Sequence, residues 1–242
     1  MSGRLLNPQD LGTVVGVWAH PDDEAYLMAG TALVAAAAGS RVTCITATLG
    51  EAGETSDEAR WPRAELADVR RRELAASLEV LEIEDHTFLD LPDGGLAAVD
   101  PQVGIGLIAE TMTRVAPDTV LTFGPDGMTG HPDHVVVGAW AQQAAAAVCG
   151  RRCRVLAATR TRDVVAAYAD VNAVVYTDAP PPCADPDDIV LQVHLTGSEL
   201  ERKVQALAAQ ASQTAALSAW MGHDTYRGWV ADEYWVVRSA DA

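Results

Sequence analysis

Basic charge is scarce in this sequence. Among 242 residues, 17 are Lys or Arg and 34 are Asp or Glu, a formal net charge of −17. Such a surface repels nucleic acid and anionic membranes, though it leaves room for a local basic pocket. Aromatic residues make up only 5%, so the core must be built from Ala, Val and Leu. The 49% hydrophobic content is still enough for a substantial core and excludes wholesale disorder. Four cysteines (Cys44, Cys149, Cys153, Cys183) with no CxxC pair do not make a disulfide framework, and a reduced cytoplasmic setting is expected. No apolar run approaches the roughly 20 residues of a membrane helix, and MSGRLLNPQD lacks the basic-then-apolar order of a signal peptide. There is no GxGxxG after the first strand, no P-loop and no GxSxG elbow, so the usual dinucleotide, nucleotide and serine-hydrolase readings fail.

What is present is an alternation of strand and helix patterns. Strands are expected over 13–18, 41–48, 87–89 and 119–122, and helices over 25–38, 57–81, 101–115 and 133–148. After Gly150 the pattern loosens. Strands are predicted at 154–159, 171–176 and 189–195, and a Pro/Asp-rich surface loop or lid at 179–188. A helix capped by Thr196 or Ser198 should run to about Trp220, before a last β-rich segment at 234–238. The predicted fold class is α/β: a Rossmann-like, mainly parallel sheet flanked by helices, with an elaborated C-terminal third. One domain is expected over 1–242, with its core at about 13–150 and the elaboration at about 151–242.

Two motifs carry the chemistry. The first strand runs into Ala19-His20-Pro21-Asp22-Asp23-Glu24, and the fourth leads to His131-Pro132-Asp133-His134. Each lies at a strand-to-helix turn, the edge where open parallel sheets bind ligands. Strands distant in sequence can be neighbours, so the motifs can face one another. His20, Asp23 and His134 would supply two nitrogens and one oxygen, a set that suits a catalytic zinc with an open position. Asp22 is then left beside the metal, free to accept a proton from the attacking water. His131, one turn before His134, can stabilise an oxyanion or protonate a leaving amine. Taken singly, Asp22-Asp23-Glu24 reads as well as a helix cap; it is the pair of HPD turns that argues for a site. His86, His194 and His223 lack metal spacing and read as structural. Cys149 and Cys153, beside Arg151 and Arg152, have no catalytic partner and read as inert. Trp220, Tyr226, Trp229, Tyr234 and Trp235 read as core or lid packing, with stacking on a sugar as the sharper alternative.

AHPDDE, followed about 110 residues later by GHPDH, resembles the PIG-L (LmbE-like) family of zinc-dependent N-deacetylases. The segments at 48–53, 70–74, 89–94 and 123–127 are similar to that family's loops and its Arg-x-x-Glu helix. The resemblance covers 13 to about 140 and is faint beyond. It implies removal of acetyl groups from 2-acetamido sugars in glycolipid, thiol or antibiotic pathways. It also implies His20, Asp23 and His134 as metal ligands, Asp22 as general base, His131 as the histidine aiding the tetrahedral intermediate, and Arg70 and Asp93 as substrate contacts. One position departs from the family pattern: Gln210 stands where the C-terminal helix of many members has histidine.

The expected function is therefore a metal-dependent hydrolase acting on an N-acetylated amino sugar or glycoconjugate. Two rivals are a zinc amidase of a larger amide, such as a thiol conjugate, and a non-catalytic sugar- or metal-binding protein. The uncommitted Asp22 argues against the last. Zinc is the expected cofactor, with iron(II) the alternative, since two histidines and one carboxylate suit both. The expected partner is a small molecule, with no nucleic acid and no membrane; substrate identity and oligomeric state stay open.

Overall fold

The computed structural model describes residues 5–177 and 179–238, so the first four residues of the stretch read for a signal peptide lie outside it. Seven strands form one sheet in the order β3-β2-β1-β4-β5-β7-β6. Strands β1 (Val14–Trp18), β2 (Val42–Thr46) and β4 (Thr119–Phe123) are buried along their whole length. Parallel strands covered on both faces read as such continuous apolar runs. With β3 (Asp85–Phe88) and β5 (Arg154–Thr159) they make the parallel part of the sheet. Two antiparallel strands, β6 (Ile189–His194) and β7 (Asp232–Val237), extend it beyond β5. The register sets Trp18 beside Thr46, Thr46 beside Phe88, and Phe123 beside Ala158, so the parallel strands end along one edge.

Helices α1 (Asp23–Leu27), α2 (Ala29–Ala37) and α3 (Leu66–Val80) belong to crossovers that move from β1 outwards to β3. Helices α4 (Pro101–Val115) and α5 (Pro132–Val148) belong to crossovers running the other way, through β4 to β5, and pack on each other. Right-handed crossovers in opposite directions put the two sets on opposite faces. The strand order therefore reverses between β1 and β4, and ligands of such sheets bind at that switch point. The C-terminal third adds α6 (Arg162–Ala167), α7 (Ala169–Val175), α8 (Gly197–Ala209), α9 (Ala211–Met221) and α10 (His223–Val230), with α8 packed against α3. No helix of the described residues is long and apolar enough to cross a membrane.

Several elements differ from the sequence expectation. The helix expected over 25–38 starts earlier, at Asp23, and breaks at Met28, whose sulfur accepts a bond from the Trp18 indole at 3.3 Å. The helix expected over 57–81 is regular only from Leu66, because Pro62 and a short 3-10 turn precede it. Residues 171–176 were expected as strand, yet Ala169–Val175 is helix. The free edge of β5 is taken by β7, so Val171, Val174 and Val175 have no strand to pair with. The long C-terminal helix is interrupted at Gln210.

Candidate metal centre

Strand β1 delivers His20 to the sheet edge and β4, through the loop after Phe123, delivers His134. Their facing nitrogens, His20 Nδ1 and His134 Nε2, stand 3.1 Å apart. Asp23 Oδ2 is 3.7 Å from the first and Asp23 Oδ1 is 3.4 Å from the second. The His134 ring lies on Phe123 in a stacked contact, with centroids 4.2 Å apart, so the end of β4 also fixes its plane. Trp18 and Phe123 meet edge to face at 5.1 Å and form the floor beneath.

Outer partners orient both rings. His134 Nδ1 is 2.9 Å from the Gly127 carbonyl, which can only accept, so that nitrogen carries the hydrogen and Nε2 presents a lone pair. Burial holds the His134 pKa below its usual value, against the pull of Asp23, so the ring is neutral. His20 Nε2 stands 3.0 Å from Asp93 Oδ1 and 3.6 Å from Asp133 Oδ2, without the direction of a full hydrogen bond to either. Two carboxylates on that side hold a hydrogen on Nε2 and turn Nδ1 towards His134. Burial opposes a charge on His20, but Asp133, Asp93 and Asp23 together raise its pKa to about 10. The charged ring can donate from Nδ1 to His134 Nε2, and the two nitrogens and the Asp23 carboxylate stand within 3.1–3.7 Å of one another. Two imidazole nitrogens and a carboxylate are a donor set that suits a divalent ion, which would take the place of the shared proton.

Among the described residues, the groups whose single ligand atoms all lie within 4.8 Å of one another are His20 with His131 and His134, and His20 with Asp93 and Asp133; Asp23 meets the two histidines through different oxygens. Asp133 is already committed, its oxygens accepting the Gly94 and Leu96 amides at 2.8 and 3.1 Å. Asp93 accepts the Ala52 amide at 2.8 Å, and despite burial His20 holds its pKa down to about 2. These two carboxylates orient His20 from behind. His131 caps α5, its Nδ1 accepting the Asp133 amide at 3.2 Å. That bond leaves the hydrogen on Nε2, a donor nitrogen at every charge state of the ring.

Asp22 has φ 107 and ψ −30, a conformation that a non-glycine residue holds only under constraint. The constraint comes from Glu24, which accepts the Asp22 amide at 3.0 Å, and from Arg70. Arg70, buried on α3, donates to the Pro21 carbonyl, to Gly50 O at 2.9 Å and to Asp22 Oδ2 at 3.2 Å. A Cβ at Gly50 would strike this guanidinium, which requires glycine there. Burial raises the Asp22 pKa to about 7, with Arg70 opposing and Asp23 adding to the rise. Glu24 is fully buried and accepts from Ser77 Oγ at 3.2 Å and from the Gln210 amide at 2.5 Å. Gln210, at the position of the family histidine, therefore braces the motif from behind.

All seven residues singled out for metal, catalytic and substrate roles line one cavity of about 380 Å³: His20, Asp22, Asp23, Arg70, Asp93, His131 and His134. Trp229 lines it as well, while Trp220 is exposed. Sequence reasoning passed over Asp133, Glu24 and Arg160. Asp133 could have been found by asking what each carboxylate of the second motif does. Arg160 could have been found as the first residue after the fifth parallel strand.

A family model described as GlcNAc-PI de-N-acetylase (PIG-L) matches residues 15–145. A 1D-myo-inositol 2-acetamido-2-deoxy-alpha-D-glucopyranoside deacetylase of Nakamurella multipartita is 34% identical over 244 residues, covering 84% of this chain and 80% of that protein. The enzyme of the same name from Kineococcus radiotolerans is 35% identical over 170 residues, 55% of this chain but only 47% of that protein. The N,N'-diacetylchitobiose deacetylase of Pyrococcus horikoshii superposes with a TM-score of 0.63 at 23% identity, covering 98% of this chain and 87% of its own. At that identity the superposition speaks for the fold alone.

Proposed function

Because the chain belongs to the GlcNAc-PI de-N-acetylase (PIG-L) family, we propose that it is a metal-dependent hydrolase that frees the amine of an N-acetylated amino sugar. One observation carries the reading: His20, Asp23 and His134 bring two imidazole nitrogens and a carboxylate within 3.1–3.7 Å of one another, next to an Asp22 carboxylate that none of the three uses. Simple metal or sugar binding has no need of that extra carboxylate. The whole chain reads as one domain, since β5, β7 and β6 continue the sheet of the first half. Its four cysteines are free thiols, as suits a reducing cytoplasm.

His20, Asp23 and His134 would hold the ion, zinc in the first instance. When bound, the ion supplies Lewis-acid polarisation of the amide carbonyl and acidifies the attacking water. The remaining chemistry belongs to the chain. Asp22, near pKa 7 by burial, takes the proton from the attacking water and passes it to the leaving amine. Arg70 binds Asp22 Oδ2 and so leaves Oδ1 for the proton. His131 Nε2–H donates to the oxygen on which charge develops. A cavity of about 380 Å³ falls within the range of small-molecule sites.

The test is metal content together with acetate release from a panel of N-acetylated amino sugars. About one divalent ion per chain is expected, with release from at least one panel member. His20→Ala and His134→Ala should each lose ion and activity together. Full metal retention in both variants would sink the ligand assignment, and a loaded enzyme inert on the whole panel would sink the reaction.

A further inference from the structure

The cavity contains a cation that this chemistry leaves unused. Arg160 follows β5 directly, at the same carboxyl edge as the two histidine motifs, and is only 6% exposed. It lines the cavity together with Val175, Tyr176, Leu217 and Trp229, which also come from the C-terminal third. Its Nη1 donates to the Asp232 carbonyl at 3.0 Å, and its guanidinium carbon stands 5.7 Å from the Trp229 ring centroid. No carboxylate of the described residues pairs with it, and the Asp232 side chain is taken by His194 at 2.7 Å. Its other donors have no protein partner among the described residues, and the residue lines the cavity.

A guanidinium keeps its charge at any working pH and presents a planar fork that matches an oxyanion. Burying it without a counter-ion is costly. A ring at 5.7 Å lies near the outer limit of cation–π contact, and one carbonyl uses one donor, so neither replaces a counter-ion. At the metal end the cavity presents Asp22, Asp23 and Asp93 instead. The cavity lining therefore holds these acids together with a base that has no carboxylate partner among the described residues.

We propose that Arg160, beside Trp229, forms a second subsite that binds an oxyanion, a carboxylate or phosphate ester, carried by the aglycone of the amino sugar. This rests on the deacetylase reading and narrows its substrate class. The acetamido group goes to the metal centre, and the anionic substituent goes to Arg160.

Three probes test it on the metal-loaded full chain: the methyl glycoside of 2-acetamido-2-deoxyglucose, its carboxymethyl counterpart, and the 1-phosphate. For at least one anionic probe kcat/KM should exceed that of the methyl glycoside by about 10–100-fold, and which probe gains tells carboxylate from phosphate. In Arg160→Gln this ratio should fall towards one. In Arg160→Lys, which keeps the charge and loses the fork, it should be intermediate. Equal wild-type values on all three probes, or a ratio that survives Arg160→Gln, would overturn the subsite. Should Arg160→Gln fail to fold, the wild-type ratio and its drop in Arg160→Lys decide alone. Should no probe release acetate, the reaction reading fails while the subsite is still read by calorimetry. The anionic probes must then bind the wild-type chain more tightly than the methyl glycoside by a similar factor, or the subsite falls too.

Discussion

Replacing Lys203 with Met should destabilise the fold by about 3–5 kcal/mol, the usual cost of stripping one partner from a buried ion pair. Lys203 is the chain's single lysine and is completely buried. Its Nζ lies 2.6 Å from Glu233 Oε1 and donates to the Tyr26 carbonyl at 2.9 Å. Methionine fills similar space, so the loss is one of charge and not of packing. The orphaned Glu233 would keep some support. Its oxygens accept the Gly30 and Thr31 amides and the Thr31 hydroxyl, each at 2.7 Å, which caps the start of α2. That support points to the lower end, about 3 kcal/mol, or a fall in Tm of about 6–12 °C at this chain length. The double variant Lys203→Met with Glu233→Gln removes both charges while keeping an acceptor for α2. It should recover to within about 1–2 kcal/mol of wild type. Urea unfolding at pH 7 reads both through the midpoint at constant slope. A single-variant loss below about 1 kcal/mol, or a double variant no better than the single, would refute the reasoning.

Asp22→Asn should keep the metal and lose kcat by about 10²–10⁴-fold, the usual share of general base catalysis; metal analysis with acetate release checks it, and wild-type turnover would exclude Asp22 as the base. Gln210→Ala should cost about 1–3 kcal/mol, since it leaves a Glu24 oxygen short of a donor in a buried site; denaturant unfolding reads it, with Gln210→His as the variant expected to restore the contact. Burial, helped by Arg71, lowers the His86 pKa from 6.5 to about 4. The neutral form is thus favoured on folding, so its contribution is complete above pH 6.5 and is lost as pH falls towards 4, by at most about 3 kcal/mol. Unfolding midpoints of wild type and His86→Phe at pH 5 and pH 8 should differ in slope, and parallel behaviour would show that His86 is not the group responsible.

The parallel half of the sheet could be read from the sequence because its strands are short β-branched runs and its helices have local start signals. Asp100 and Pro101 open α4 by side-chain capping and a preset φ, and the helix runs over 101–115 as expected. The C-terminal third was harder because its elements are decided by what the sheet leaves free. Val171, Val174 and Val175 have strand propensity, yet β7 already occupies the edge of β5, so tertiary context overrides the local preference. The break at Gln210 follows similarly: its side chain reaches a glutamate 186 residues away, and no local pattern encodes that contact.

The candidate site divides along the same line. His20, Asp22, Asp23, His131 and His134 announce themselves because each needs a particular functional group within a short motif at a strand end. The residues behind them do not, because their role depends on what they touch. Asp133 sits inside the second motif and looks like a helix-cap acid, but both its oxygens bind the 94–96 loop while it faces the His20 ring. Arg70 looks like a substrate contact, and it does line the cavity, but its bonds run to Asp22 and to the two carbonyls that bend the chain around it. Its charge opposes the rise in Asp22 pKa that burial produces, and so keeps the carboxylate available near neutrality. Gln210 extends the same logic. An amide can donate to Glu24 as an imidazole N–H can, but it cannot change its charge with pH. The substitution therefore keeps the brace on the Asp22 turn and removes one titrating group from behind the site.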